Sequence, residues 1–510
     1  MVQYDVVVME RIKGSDVAFV LSAALFMAIV DVLFYLLIDS NPLKSLLILG
    51  ANYMMALAFW VVLYLSSLIH LRKVLQPVFG FIISLYACLL AFCWYRFGTT
   101  VDKGMIALVT GTNNAEATEF FHAYITPLTI VFFTMAVLVA FVGFLWFSRH
   151  QFPITKRTMK WLGFFTLLCC CGLGYSFYTL PGRIEGIMRT EQKNLADYLQ
   201  HPEMIATSES HPDVVMIIIG ESFSRSHSSL YGYDKATNPR LQQQRDSGNL
   251  IVFSNPVAPA THTAESFKYF MTTFSHETTD KDWFQCLTLP EALAASGYHT
   301  AWFSNQAASG WYDNVSAAFA ALCDTVHYTT TPEDGEQGAK PDGILLSCIA
   351  SYVPSAVRMA LFVHLMGQHV DFEQRYPPTF NHFTESQYAN RPSHQRRDYA
   401  TYDNATLYND YVVDSLFSSL EGMNAVALYF SDHAMDFYES ADDYCSHSND
   451  NNPASHQAGL KIPFVVYTTA RYRDANPLVV QQLEEMAAKP YYVEHLPDLI
   501  LQLTGYKVKH

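Results

Sequence analysis

The sequence lacks an excess of positive charge, and it also lacks internal repeats and low-complexity tracts. Its 32 Lys and Arg residues are outnumbered by 47 Asp and Glu residues, which gives a net charge of −15. The acidic excess lies in residues 181–510, which carry 21 basic and 39 acidic residues, a net charge of −18. A region this acidic binds nucleic acid poorly, so no nucleic-acid partner is expected.

Residues 1–180 have little charge of either sign in five long stretches. Each stretch contains roughly 20 or more mostly apolar residues, enough to cross a hydrocarbon core of about 30 Å. Buried helices of a soluble protein rarely run this long without a polar face. The sequence therefore predicts a transmembrane domain of five helices over residues 1–180, with the spans at approximately 17–38, 46–69, 74–95, 121–147 and 161–180.

The basic residues between the apolar stretches predict the orientation in the membrane. Eight of them lie before the first stretch, between the second and third, or between the fourth and fifth, so the positive-inside rule places the N-terminus in the cytoplasm. Five crossings then bring the C-terminal part to the far side. No cleavable signal-peptide pattern is present, so the first helix is expected to remain as an anchor. Cys286, Cys323, Cys348 and Cys445 would face an oxidising compartment there and could form two disulfides.

The second half of the chain alternates short apolar runs with helical segments. Residues 181–210 are polar with scattered apolar side chains and predict an amphipathic linker at the membrane surface, or a plain spacer. From residue 211 to 510 the alternation predicts an α/β domain, with a largely parallel sheet covered by helices on both faces. The predicted strands are Val214–Ile219, His299–Phe303, Met359–Leu365, Ala425–Phe430 and Ile462–Thr468.

Polar residues follow four of these runs at the point where each run ends. Glu221 follows the first, the stretch from Ser304 to Gln306 the second, a segment ending at His369 the third, and Asp432 with His433 the fourth. Ligands and catalytic groups collect at the carboxyl ends of strands in open α/β sheets. We therefore expect these side chains to lie around one site.

Glu221, Asp432 and His433 supply two carboxylates and an imidazole, a set that suits zinc or manganese. Each alone has a simpler explanation, because a carboxylate after a strand is often a helix cap. Thr263 could open a helix as its N-cap, and as a metal-bound hydroxyl it would be an activated nucleophile. Ser266 and Thr261 remain alternative nucleophiles.

Six ordered motifs carry a family resemblance: IIIGESFSRSHSSLYGYDKATNP, THTAES, HLMGQHVDFEQRYP, YDNATLYNDYVVDSL, LYFSDHAMD and KIPFVVYTT. Together they resemble the phosphoethanolamine transferases of Gram-negative inner membranes, within the alkaline phosphatase and sulfatase superfamily. The resemblance implies an alkaline-phosphatase-like catalytic domain in the periplasm. It also implies a catalytic zinc, with one or two ions in all, held by Glu221, Thr263, Asp432 and His433, with Thr263 as the nucleophile.

The resemblance further implies two histidines that contact the substrate. His369 follows the family's Met-Gly pair. A second histidine is expected before the last strand, where Lys461 stands instead, so His456 would fill this catalytic and substrate-binding role, with His447 as the alternative. Asn305 could bind the lipid headgroup or only form local hydrogen bonds.

The implied reaction moves phosphoethanolamine from phosphatidylethanolamine to Thr263 and then to a hydroxyl or phosphate of an envelope glycan or lipid, with release of diacylglycerol. The acceptor stays open among lipid A, the lipopolysaccharide core and a periplasmic glucan. A transferase of glycerol phosphate that uses phosphatidylglycerol is one alternative, and a metal-dependent phosphatase or sulfatase-like hydrolase is another. The C/S-x-P-x-R context of sulfatases is missing around Thr263. A membrane receptor or scaffold without catalysis is the alternative that is not an enzyme.

Overall fold

The computed structural model describes residues 195, 197–278, 280–306, 315–329, 340–352, 358–442, 444–448 and 452–509, together with Thr134 and Leu138. The predicted transmembrane domain, apart from those two residues, and half of the predicted linker lie outside the described residues. Within the described part of the chain, no helix is long and apolar enough to cross a membrane.

The described strands follow the predicted apolar runs closely and add several short ones. They are β1 (Met204–Ala206), β2 (Val214–Gly220), β3 (Leu250–Val252), β4 (Asn255–Val257), β5 (His299–Ser304), β6 (Thr325–Tyr328), β7 (Met359–His364), β8 (Ala425–Ser431), β9 (Asp436–Phe437), β10 (Cys445–Ser446), β11 (Phe464–Thr468), β12 (Pro490–Tyr492) and β13 (Tyr506–Val508).

The helices between them are mostly short, and one is long. They are α1 (Pro239–Asp246), α2 (Thr263–Phe270), α3 (Leu289–Ala295), α4 (Val315–Ala320), α5 (Ile344–Tyr352), α6 (Arg396–Ser418), α7 (Pro453–Gly459), α8 (Ala470–Ala475), α9 (Pro477–Ala487) and α10 (Leu496–Thr504).

A seven-stranded sheet with the order β3-β11-β8-β2-β7-β5-β6 forms the centre of this domain. The strands from β8 to β6 run parallel, whereas β11 is antiparallel to both β8 and β3. The sheet is therefore mixed, and the expectation of a largely parallel sheet holds for five of its seven strands. Because β2 lies between β8 and β7, the residue after it lies between the loops that follow those two strands.

Both faces of the sheet are covered, as the apolar runs predict for buried strands. Successive side chains of a strand point to opposite faces. Along β2, Val215, Ile217 and Ile219 join a core with residues of α2, α3, α4, α9 and α10. Met216 and Ile218 join a second core, with residues of α1, α5 and α6. The two cores hold β2 rigidly, so its carboxyl end is a fixed platform.

The four described cysteines are free thiols, so the two disulfides that the sequence allowed are not formed among them. Cys286 is buried, and Cys323, Cys348 and Cys445 are half-buried. Burial raises the pKa of the Cys323 thiol to about 12. These cysteines therefore act as small apolar side chains.

Candidate active site

Glu221 directly follows β2, and its side chain is buried. The next residue, Ser222, has a φ of +57°, in the left-handed region that residues other than glycine rarely adopt. Tyr402 of α6 holds this turn, because its hydroxyl donates to the Ser222 carbonyl at 2.7 Å and accepts from the Ser224 N–H at 2.7 Å. The Ser222 hydroxyl in turn donates to Glu221 Oε1 at 2.6 Å. The strained turn thus fixes the Glu221 carboxylate at the tip of the strand.

We expect Tyr402→Phe to destabilise the protein by about 1–3 kcal/mol, because the Ser222 carbonyl and the Ser224 N–H lose their buried partner. Catalytic activity should fall with it, since the turn no longer fixes Glu221. The matched control is Tyr399→Phe on the same helix, whose hydroxyl makes no hydrogen bond to the described residues. Urea unfolding of both variants measures the difference, and equal losses of stability would contradict this role of Tyr402.

Thr263 is the first residue of α2, and His262 is its N-cap, so the prediction that Thr263 is the N-cap is wrong by one residue. The Thr263 hydroxyl donates to Glu221 Oε2 at 3.1 Å and lies 3.2 Å from Nε2 of His433. The alternative nucleophiles have other surroundings. Ser266 donates to the Ala260 carbonyl, and Thr261 Oγ1 lies 2.9 Å from Nδ1 of His262.

Asp432 and His433 follow β8 and are both fully buried. The His433 N–H donates to Asp432 Oδ1 at 2.7 Å, and its Nδ1 lies 3.1 Å from the Ala434 carbonyl. A proton on Nδ1 satisfies that contact and leaves the Nε2 lone pair free to bind an ion. Nε2 lies 3.3 Å from Glu221 Oε1 and 3.5 Å from Asp432 Oδ2. Asp432 Oδ2 has no hydrogen-bond partner among the described residues.

The charges of this cluster are strongly coupled. Burial opposes ionisation of Glu221, but the imidazole of His433, with smaller effects from His369 and His447, holds the Glu221 pKa well below its usual range. Burial and the Glu221 charge raise the pKa of Asp432 to about 7. Burial lowers the pKa of His433, yet the Asp432 and Glu221 carboxylates outweigh it and raise that pKa to about 9.

These residues fit a divalent metal ion. Two carboxylates converge on one imidazole nitrogen in a buried site. One carboxylate oxygen, Asp432 Oδ2, has no hydrogen-bond partner in the part of the chain that the structure describes, which is costly unless a cation is bound. The donor set of carboxylate oxygen and imidazole nitrogen is one that zinc accepts. The hydroxyl of Thr263 lies within reach of the same position.

His447, just after β10, joins this cluster. Ligand atoms of Glu221, His433 and His447 lie within 4.8 Å of one another. The His447 ring is centred 5.1 Å from the ring of His433 and 6.0 Å from that of His369. Burial and the neighbouring imidazoles hold the His447 pKa well below its usual range. His456, the other histidine that the sequence left open, lies half-buried in α7 and is not part of this group.

The loop after β5 places Gln306 beside Glu221. The sequence pattern gave no role to this residue, although it ends the polar stretch after that strand. Its Nε2 donates to the Leu365 carbonyl at 2.9 Å and lies 3.5 Å from Glu221 Oε2. Asn305 beside it is fully buried. Its amide donates to Asp342 Oδ1 at 2.8 Å and accepts from the Thr329 hydroxyl at 2.6 Å. These contacts favour the local hydrogen-bonding role of Asn305 over headgroup binding.

Gly367, in the loop after β7, packs directly against Glu221. Its φ is +53°, and a Cβ there would lie 2.7 Å from both the N and O atoms of Glu221. Real Cβ atoms essentially never come that close to backbone. Glycine is therefore required at this position for two independent reasons, its left-handed backbone and the close approach.

We expect Gly367→Ala to lower the catalytic rate by about 100-fold, because the new methyl group displaces Glu221 by a sizeable fraction of an ångström or more. The control is Gly422→Ala. Gly422 has a φ of +79°, and no described atom lies within 4 Å of an added Cβ, so it shares the backbone strain without the clash. Steady-state kinetics of the two variants, with thermal unfolding, separate the two effects. A similar loss of rate in both would contradict the account.

Two family models match the chain in tandem. The model described as Sulfatase matches residues 213–506, and the one described as Phosphoethanolamine transferase EptA/EptB matches residues 57–205. Among curated relatives, phosphoethanolamine transferase EptC of Escherichia coli K12 is 25% identical over 450 residues, covering 79% of this chain and 76% of that protein. Phosphoethanolamine transferase EptA of Helicobacter pylori is 25% identical over 368 residues, covering 70% and 64%.

Solved structures show the same fold. The C-terminal periplasmic domain of EptC from Escherichia coli, solved in complex with Zn, superposes with a TM-score of 0.54 at 26% identity, covering 61% of this chain and 87% of that one. The integral membrane protein EptA from Neisseria meningitidis superposes with a TM-score of 0.62 at 18% identity, covering 96% of both chains. The Sulfatase match takes in more than half of the chain. The chain therefore belongs to the sulfatase family, and within it to the phosphoethanolamine transferases of the alkaline phosphatase superfamily.

Proposed function

We propose that this protein transfers phosphoethanolamine from phosphatidylethanolamine to a hydroxyl or phosphate of an envelope glycan or lipid, with Thr263 as the nucleophile. The observation that carries the proposal is the Thr263 hydroxyl, which contacts both Glu221 Oε2 and His433 Nε2 at the carboxyl end of the sheet. Curated relatives named phosphoethanolamine transferases support this choice of group. These relatives do not favour the phosphatidylglycerol and hydrolase alternatives.

Glu221, Asp432 and His433, with the Thr263 hydroxyl, would hold a zinc ion, and His447 is placed to contribute to this or to a second ion. The zinc in the structure of the EptC domain supports this choice of metal. When bound, the ion lowers the pKa of the Thr263 hydroxyl and stabilises negative charge on the phosphoryl oxygens.

The residues of the chain then carry out a double displacement. In the first half, Thr263 Oγ1 forms a bond to phosphorus, and the bond from phosphorus to the diacylglycerol oxygen breaks. That oxygen takes up the proton that Thr263 gives away. In the second half the acceptor oxygen replaces Thr263 on phosphorus, and the acceptor's proton returns to Thr263. We propose His369 and His447, whose rings are centred 6.0 Å apart, as the groups that bind the phosphoryl oxygens and relay these protons.

A lipid donor explains the domain organisation that we propose. Residues 1–180 would form a five-helix anchor in the inner membrane, residues 181–210 a linker, and residues 211–510 a periplasmic catalytic domain. The phosphoethanolamine transferase model over residues 57–205 supports this arrangement. The catalytic centre would then meet the donor at the outer surface of that membrane.

Diacylglycerol release from defined bilayers tests the proposed function. The full-length protein, loaded with zinc, is reconstituted in nanodiscs that contain phosphatidylethanolamine or, separately, phosphatidylglycerol. We expect diacylglycerol from phosphatidylethanolamine only. Release from phosphatidylglycerol alone would favour glycerol-phosphate transfer. Release from neither lipid, by a folded protein loaded with zinc, would contradict the proposal.

A further inference from the structure

Asp342, which lies just before α5, is a buried carboxylate outside the set of proposed metal ligands. Its side chain is 4% exposed. Oδ1 accepts from the Met366 N–H at 2.8 Å and Oδ2 from the Gly367 N–H at 2.9 Å. Two successive backbone N–H groups that point at one carboxylate form a small anion-binding nest. The carboxylate therefore fixes the backbone of the loop after β7.

The same carboxylate also reaches the loop after β5. Asp342 Oδ1 accepts from the Asn305 amide at 2.8 Å, and the Asn305 N–H donates to the His364 carbonyl at 3.0 Å. Asp342 is itself held from α6, where the Tyr408 hydroxyl accepts from the Gly343 N–H at 3.0 Å. One buried group thus joins two of the loops that surround Glu221 and ties both to the long helix.

The loop that Asp342 fixes is in direct contact with the proposed metal centre. Gly367 packs against the backbone of Glu221, and the Gln368 N–H donates to the Glu221 carbonyl at 2.9 Å. His369 is the next residue, and its N–H donates to the Met366 carbonyl at 3.2 Å. By binding this nest of N–H groups, Asp342 therefore fixes the positions of both Glu221 and His369.

We propose that Asp342 is a positioning residue for the metal centre: by binding the Met366 and Gly367 N–H groups it fixes the separation between Glu221 and His369. This inference rests on the proposed function for its kinetic consequence, but its effect on metal binding does not depend on the lipid donor. Asp342 touches neither the substrate nor the ion. It acts through the backbone of the loop.

The test compares Asp342→Asn with Asp410→Asn. Asp410, on α6, is also a buried carboxylate that accepts from two successive backbone N–H groups, those of Arg240 and Leu241 at 2.9 and 3.0 Å. Those groups belong to α1. The two variants therefore lose the same kind of hydrogen bonds, and only Asp342→Asn alters the loop beside Glu221.

We expect Asp342→Asn to weaken zinc binding by about 10-fold or more, measured by competition with a chelator in the full-length protein. It should lower kcat for diacylglycerol release by about 10- to 100-fold with little change in KM, because the loop misplaces reacting groups without losing lipid contacts. Asp410→Asn should lose stability but keep the zinc affinity and kcat of the wild type. Asp342→Glu keeps the charge but displaces the loop, so it should also weaken zinc binding and lower kcat. If Asp342→Asn does not fold, Asp342→Glu tests the inference in its place.

Zinc affinity and kcat at the wild-type level in Asp342→Asn, or equal losses in Asp410→Asn, would overturn the inference. If the wild type releases no diacylglycerol, the proposed function fails, whereas the comparison of zinc affinities still decides the role of Asp342.

Discussion

Thr263→Ala is expected to lower the rate of phosphoethanolamine transfer by about 10³-fold or more, the usual scale for removing a nucleophile that acts together with its neighbours. The reason is the position of its hydroxyl between Glu221 and His433, which no other side chain oxygen at the start of α2 reproduces in the described contacts. Single-turnover kinetics of diacylglycerol release in nanodiscs that contain phosphatidylethanolamine measure the change. Because Thr263 is only half-buried, the folded state should retain its thermal stability.

Ser266→Ala is the matched control, one helical turn further along α2. Its buried hydroxyl donates to the Ala260 carbonyl, so its loss should cost stability of about 1 kcal/mol. The rate of transfer should stay near that of the wild type. If Ser266→Ala abolished transfer and Thr263→Ala did not, the assignment of the nucleophile would be wrong.

Asp432→Asn is expected to abolish the stabilisation of the protein by zinc. For the wild type, zinc at 100 times its Kd should add about 2.7 kcal/mol to the free energy of unfolding. The variant loses a charged ligand, so zinc at the same concentration should add almost nothing. Without zinc the order is opposite. Burial and the Glu221 carboxylate destabilise the ionised Asp432, as the rise of its pKa to about 7 indicates, so the metal-free variant should be the more stable protein.

Asp436→Asn provides the control for this prediction, because Asp436 is a buried carboxylate on the same segment. It accepts from the backbone N–H groups of Glu439 and Ser440, both at 3.1 Å, rather than from the cluster. Thermal unfolding with and without zinc should show the full zinc increment in Asp436→Asn. A full increment in Asp432→Asn would remove Asp432 from the set of metal ligands.

The strands could be predicted because a buried parallel strand is a short apolar run with a polar residue at its end. Four of the five predicted strands begin where the structure begins them, and β11 begins two residues later, at Phe464. The direction of β11 could not be predicted, since an apolar run reads the same in a parallel and an antiparallel pair. The short β3 and β6 were missed because each has only three or four residues.

The part of the site that lies at strand ends could also be located in the sequence. The structure brings Glu221, Asp432 and His433 together because β2 and β8 are adjacent and parallel. His447 could not be chosen over His456, because it follows a two-residue strand that no apolar pattern marks. The contacts of Asn305, Asp342 and Gly367 depend on the approach of separate loops, and sequence spacing contains no such distances. For the same reason, the sequence could not show that the four described cysteines are unpaired.

The proposed double displacement depends on a covalent intermediate on Thr263, which intact-mass analysis detects. The zinc-loaded protein is incubated with phosphatidylethanolamine and no acceptor, and the mass change is mapped to a residue by peptide sequencing. We expect an increase of about 123 Da on Thr263, the mass of one phosphoethanolamine group replacing a hydroxyl proton, and no increase in Thr263→Ala. The same increase on another residue, or its persistence in Thr263→Ala, would contradict the account.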